Sequence, residues 1–118
     1  MSPFKQILRI ILVIHGFLNI AQGFYVVFSP RAWAKQAGPA FVGSSEQALQ
    51  SIGLGSIGVG AYGALGAYSN DRHFYALTAL MRYTFAATVL TQWDRDQNGV
   101  AIYEILVAGT AMLASVLN

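Results

Sequence analysis

Residues 46–68 read EQALQSIGLGSIGVGAYGALGAY, and the fold turns on how this stretch is understood. Its only charge is Glu46, at the first position, and glycine recurs at 53, 55, 58, 60, 63 and 66. In water such a helix is poor, because glycine in a helix interior is less favourable than alanine by roughly 0.5–1 kcal/mol. In lipid the balance reverses. No hydrophobic force draws helices together there, and missing side chains let two backbones approach closely. The stretch has the ~20 residues needed to cross ~30 Å of hydrocarbon. Ser56, Gly60 and Ala64 form a small-xxx-small ladder along it, which predicts a helix central to its neighbours.

Three further apolar stretches flank it, at residues 7–28, 73–93 and 100–117. Together the four predict an all-α fold: an up-down four-helix transmembrane bundle forming a single domain over 1–118, with a short interfacial helix between spans one and two. The connections read as turns. Ser29 and Pro30 suit an N-cap and a first helical position, predicting a short helix over 31–36 that Gly38-Pro39 ends, with Trp33 at headgroup level. Ser44 and Gln47 are spaced as a capping box that starts the second span. Ser69-Asn70-Asp71 predicts a tight turn, and residues 94–99 a polar one. Lys5 and Arg9 precede the first apolar run as in a signal peptide. That run continues to Phe28 without a small-residue cleavage site, so it reads as a retained span.

Composition points the same way. Only 10% of residues are charged and 55% are hydrophobic, against about a quarter charged in soluble domains, so too few charges exist to coat a water-facing surface. The net charge is +2 and the pI about 9.2, yet the seven basic residues form no patch, which excludes a nucleic-acid footprint. The absence of cysteine excludes disulfides, thiolate nucleophiles and cysteine-held metals. His15 and His73 alone are too few for a zinc site, and nothing in the sequence points to a cofactor. Lys5, Arg9 and Arg72 flank one side of the four expected spans and Arg31, Lys35 and Arg95 the other, so charge assigns no orientation. A multi-pass protein of this kind belongs, in a eukaryotic cell, to the endoplasmic reticulum.

The informative residues are the polar ones inside the spans. His15, Asn19 and Gln22 share one face of span one. Arg82 falls near the middle of span three, where a charge costs at least ~2.5 kcal/mol unless compensated. Glu46, Gln50 and Gly53 align on span two, and Glu104, Ala108, Ala111 and Ser115 on span four, each carboxylate above a stripe of small residues. Antiparallel spans bring these groups to one half of the bilayer. The expected site is a polar pocket with Glu104, Glu46, Asp94 and His15 as acid–base groups and Asn19, Gln22, Gln50, Arg82 and Tyr103 as binding groups.

Each residue also has a structural role available. His15, Asn19 and Gln22 serve equally as hydrogen-bonding glue between helices. Glu46 suits the positive end of a helix dipole, and Glu104 suits an ion pair with Arg82 or Arg95. Asp94-Arg95-Asp96-Gln97-Asn98-Gly99 begins like an EF-hand calcium loop, but the closing position holds Ile105, and a plain polar turn is the expectation.

Carboxylates in an apolar setting hold their protons to higher pH, the equipment for acid–base work on a lipophilic substrate such as a polyene, terpenoid or epoxide. The expected activity is that of a cofactor-independent cyclase, isomerase or epoxide-opening enzyme. The four-span hydropathy layout resembles the small, mostly uncharacterised four-helix membrane proteins that occur with fungal secondary-metabolite enzymes. That resemblance implies a tailoring step on a lipophilic intermediate and assigns no catalytic residue. The length and balanced charges also look like small multidrug-resistance transporters, which form dual-topology dimers around a first-span glutamate, whereas span one here has His15 and no carboxylate. A third reading is a non-catalytic scaffold docked through the glycine-rich span. The expected partners are the bilayer, a lipophilic small molecule and a second copy in a homodimer that encloses the pocket.

Overall fold

The computed structural model describes residues 2–118 as helices and short links. In chain order these are α1 (Pro3–Phe28), α2 (Pro30–Ala37), α3 (Pro39–Val42), α4 (Glu46–Tyr68), α5 (Arg72–Gln92), a 3-10 turn (Arg95–Gln97) and α6 (Asn98–Leu117). The fold is all-helical, and α1, α4 and the segment Arg95–Leu117 are long and apolar enough to cross a membrane. Among the described residues α5 does not join them, although its 21 residues suffice in length. Arg82, His73 and the threonines at 78, 84, 88 and 91 dilute its apolar content.

The helix ends follow from local chemistry. α1 begins at Pro3, four residues before the predicted start, because the Ser2 hydroxyl accepts the Lys5 N–H at 3.2 Å and proline fits the first turn. The short helix expected over 31–36 is α2, ended at Gly38, whose φ of 133° is a backbone that side chains rarely adopt, and the one-turn α3 after it is a helix the sequence did not predict. The cap of α4 is one residue later than predicted: Ser45 Oγ accepts Ala48 N–H at 3.1 Å. Ser44 is engaged in closing α3, its N–H donating to the Phe41 carbonyl. At the α4–α5 turn Asn70 takes φ 55°, which asparagine tolerates, and the Asp71 carboxylate caps α5 by accepting the N–H groups of His73 and Phe74. Residues 95–97 form a 3-10 turn and Gly99 lies inside α6, so the Asp94–Gly99 segment is a helical lead-in.

The chain forms two compact units, residues 14–64 and the remainder, with α1 and α4 contributing to both. In the first, α1 and α4 run antiparallel at backbone contact. A Cβ at Gly16 would lie 2.7 Å from the Gly60 carbonyl and 2.6 Å from Ala64 N, and one at Gly23 would lie 2.5 Å from the Gly53 carbonyl. Any side chain at these positions would force the helices apart. The predicted small-residue ladder is therefore a contact surface. Below it, Val26, Ala34 and Leu49 form a small core against which Trp33 and Phe41 pack edge to face, their centroids 5.1 Å apart.

In the second unit α5 and α6 form an antiparallel hairpin. Leu8 and Leu12 of α1, Ala67 of α4, Tyr75 and Ala79 of α5, and Val107, Ala111 and Ala114 of α6 share one core, while Ala86, Val89 and Ala101 pack near the α5–α6 turn. At the other end, the Arg9 guanidinium donates to the carbonyls of Ala67 and Tyr68 and stands over the Tyr68 ring, closing the C-terminus of α4. Tyr75 Oη lies 3.1 Å from the Ala67 carbonyl, and Asn70 and Asn118 exchange amide hydrogen bonds.

Alanine at Gly16, Gly23, Gly53 or Gly60 is expected to lower stability by about 1–3 kcal/mol through overpacking. Alanine at Gly55 or Gly58, where nothing lies within 4 Å, is expected to be neutral or to stabilise by up to ~1 kcal/mol. Equilibrium unfolding of the purified variants in mixed micelles checks the contrast.

Candidate functional site in the α5–α6 hairpin

The α6 sequence places Ala101, Glu104, Ala108, Ala111 and Ser115 on one buried stripe. Small side chains on that stripe let α5 come close. Ser115 Oγ donates to the Arg72 carbonyl at 3.1 Å, and the Tyr83 hydroxyl lies over Gly109. Between these contacts and the turn sits the charged centre. Arg82 Nη1 donates to both oxygens of Glu104, at 3.0 and 2.9 Å, and the two side chains are 15% and 10% exposed.

Arg82 lies ten residues from either end of α5 and Glu104 six residues into α6. At 1.5 Å per residue these are depths of ~15 and ~9 Å along the helices. A single guanidinium nitrogen takes the whole carboxylate. Arg82 Nε and Nη2 make no hydrogen bond among the described residues, and no buried side-chain nitrogen or oxygen there lacks a partner. Those two nitrogens are therefore not fully buried. Tyr103, adjacent to Glu104 and 45% exposed, has its hydroxyl within electrostatic reach of both charges.

The remaining expected site residues divide by unit. In the 14–64 unit, His15 is buried and its Nε2 lies 3.0 Å from Asn19 Nδ2. The Asn19 carbonyl accepts the Ser56 hydroxyl at 2.7 Å, and Gln50 Nε2 donates to the Val27 carbonyl at 3.2 Å. His15, Asn19 and Gln50 are thus held in the bonding along α1 and α4, while Gln22 and Glu46 are exposed. In the other unit, Asp94 is exposed ahead of the 3-10 turn. Only Arg82 and Glu104, of the residues expected to do chemistry, meet as a buried pair of opposite charges.

Sequence reasoning missed Gln97, which is 4% exposed and lies one helical turn before Ala101 and two before Glu104. Extending the α6 stripe backward would have found it, but the polar run 94–99 reads as a turn and hides the helical spacing. It also missed that Arg9 and Arg31 are spent on helix ends, Arg31 donating to the carbonyls of Val42 and Ser44.

The arrangement offers two chemical capacities: a fixed guanidinium with donors to spare, and a carboxylate that can take up or release a proton in an apolar setting. Comparison with family models, with curated proteins and with solved structures found no match.

Removing one partner leaves the other charge buried alone. R82A or E104A is expected to cost about 3–5 kcal/mol, whereas the paired apolar replacement R82L/E104L should recover most of it. A double-mutant cycle by chemical unfolding in micelles measures both quantities.

Proposed function

We propose that this chain is an integral membrane protein of four spans that carries out acid–base chemistry on a lipophilic small molecule, with Glu104 moving the proton and Arg82 holding the polar group of the substrate. One observation supports the reading above others: an ion pair on a stripe of small residues, with the arginine at the midpoint of its helix. Intramembrane ionisable residues are costly, and those that persist mark functional sites by default. Three helices meet the requirements for crossing by themselves, and α5 becomes the fourth span once Glu104 neutralises Arg82.

In this mechanism the substrate enters from the hydrocarbon and places a carbonyl, hydroxyl or epoxide oxygen against Arg82. The guanidinium draws electron density from that oxygen. Glu104 then delivers or removes a proton at the neighbouring carbon or oxygen, and Tyr103 supplies a second hydroxyl contact. A cyclisation, an isomerisation or an epoxide opening all follow from such a proton transfer.

A second reading, a non-catalytic membrane scaffold, is favoured by a different observation. His15, Asn19 and Gln50 are occupied in bonding along α1 and α4, as structural polar residues would be.

The chain has no cysteine, so single-cysteine probes report topology directly. Cysteines at Ser2, Asn70 and Asn118 are expected to label from one side of sealed vesicles, and those at Lys35 and Asp96 from the other. For function, E104Q is expected to reduce conversion of the substrate more than 100-fold per folded molecule, in line with loss of a general acid or base. Product formation in a host that supplies lipophilic precursors, measured against folded protein by mass spectrometry, decides between enzyme and scaffold. Unchanged product levels in E104Q and R82K would leave the scaffold.

A further inference from the structure

The Nη1 group of Arg82 faces Glu104, so the other edge of the guanidinium, with the Nε–H and one Nη2–H, is not used. These two hydrogens are parallel and coplanar, the fork that matches two oxygens of a planar acid group. Neither nitrogen has a hydrogen-bond partner among the described residues, and neither is fully buried. On a four-span chain this edge lies in oil, where an unmet N–H costs several kcal/mol. An acceptor with two oxygens in one plane would meet both donors of the fork.

Resting on the acid–base reading of this site, we propose that Arg82 and Glu104 form a receptor for a lipophilic carboxylic acid, whose carboxyl group sits on the Nε/Nη2 edge of Arg82. Depth selects the source. Glu104 lies ~9 Å along α6 from its start and Arg82 ~15 Å along α5 from either end, so a phospholipid phosphate would have to be drawn deep into hydrocarbon. A carboxylic acid arrives there neutral, carrying its proton.

Charge balance then gives Glu104 its part. The empty site holds one guanidinium and one carboxylate and is neutral. As the acid docks, its O–H bond breaks and the proton forms an O–H bond on a Glu104 carboxyl oxygen. The ligand, now a carboxylate, takes the fork, and protonated Glu104 stays on Nη1 as a neutral acceptor. No net charge enters the membrane at any stage, and the proton left on Glu104 is the one available for chemistry on the bound molecule.

The test uses the full chain in phosphatidylcholine nanodiscs with a long-chain fatty acid, its methyl ester, the corresponding alcohol and lysophosphatidic acid of equal chain length. The acid is expected to bind at least about tenfold more tightly than the other three, a difference of ~1.4 kcal/mol. R82K keeps a cation opposite Glu104 and loses the fork, so it should lose that preference. E104Q removes the rival carboxylate and should bind the acid at least as tightly as the wild type. With a carbon-13-labelled acid, infrared difference spectra should show an unlabelled protonated-carboxyl band on binding to the wild type and none in E104Q. Equal binding of all four molecules, equal binding of phosphate and acid, or an unaltered preference in R82K overturns the proposal. Acid-selective binding without any conversion of the acid upholds it and counts against the enzymatic reading. Glu104-dependent conversion of a neutral lipophile with no preference for acids overturns it and leaves the enzymatic reading standing.

Discussion

A guanidinium ten residues from either end of its helix and largely shielded from solvent has to be answered by a negative charge, and here the answer comes from Glu104. That requirement fixes more than one contact. It sets the register of α5 against α6, because only one pairing of the helices brings Nη1 to both carboxylate oxygens. It also dictates what surrounds the pair. Ala101, Ala108 and Ala111 on the α6 stripe are small because a larger residue would hold α5 away. The 3-10 turn at 95–97 takes up the distance between the two helices and leads straight into α6.

The same need for a partner governs polar groups elsewhere. Several of them donate to backbone carbonyls near helix ends: Arg9 to the end of α4, Arg31 to the end of α3, and Gln50 to the Val27 carbonyl close to the end of α1. The last carbonyls of a helix have no partner within it, and these side chains supply one. Where two helices cross, the economy is different. Gly16 and Gly60, and Gly23 and Gly53, remove side chains altogether, and the Ser56 hydroxyl reaches the Asn19 carbonyl across the gap they leave.

Much of this was legible in the residues. Helix positions follow from apolar run length and turn chemistry, and Pro3–Phe28, Glu46–Tyr68, Arg72–Gln92 and Asn98–Leu117 lie within a few residues of the predicted stretches at 7–28, 46–68, 73–93 and 100–117. The α6 stripe and the α4 glycine seam were legible because both are periodic. Arg82 stands apart by its place in the middle of its stretch, and the pairing with Glu104 is one of the two that the residues offer. The use of Arg9 and Arg31 is hidden, because nothing in the sequence says that they meet carbonyls. Glu46 and Glu104 are equally ambiguous. Both lie above small residues, yet Glu46 stands in the first turn of its helix and is exposed, while Glu104 starts a full turn further in and is buried.

The weak apolarity of α5 is best understood together with this pair. An arginine at the centre of a single span is opposed by about 2.5–3.5 kcal/mol, and the threonines of α5 add little that would offset it. The hydroxyls of Thr84, Thr88 and Thr91 are already bonded to carbonyls four residues back, which removes their own penalty without adding attraction to lipid. α6 alone would carry the opposite charge at a similar cost. If α5 is a span, the two helices entering as a hairpin bring a neutral pair, and the hydrocarbon receives one buried dipole in place of two separate ions. In the four-span reading α5 and α6 are therefore a single unit of insertion, and the ion pair that equips the site for chemistry is the same interaction that makes its helix a span.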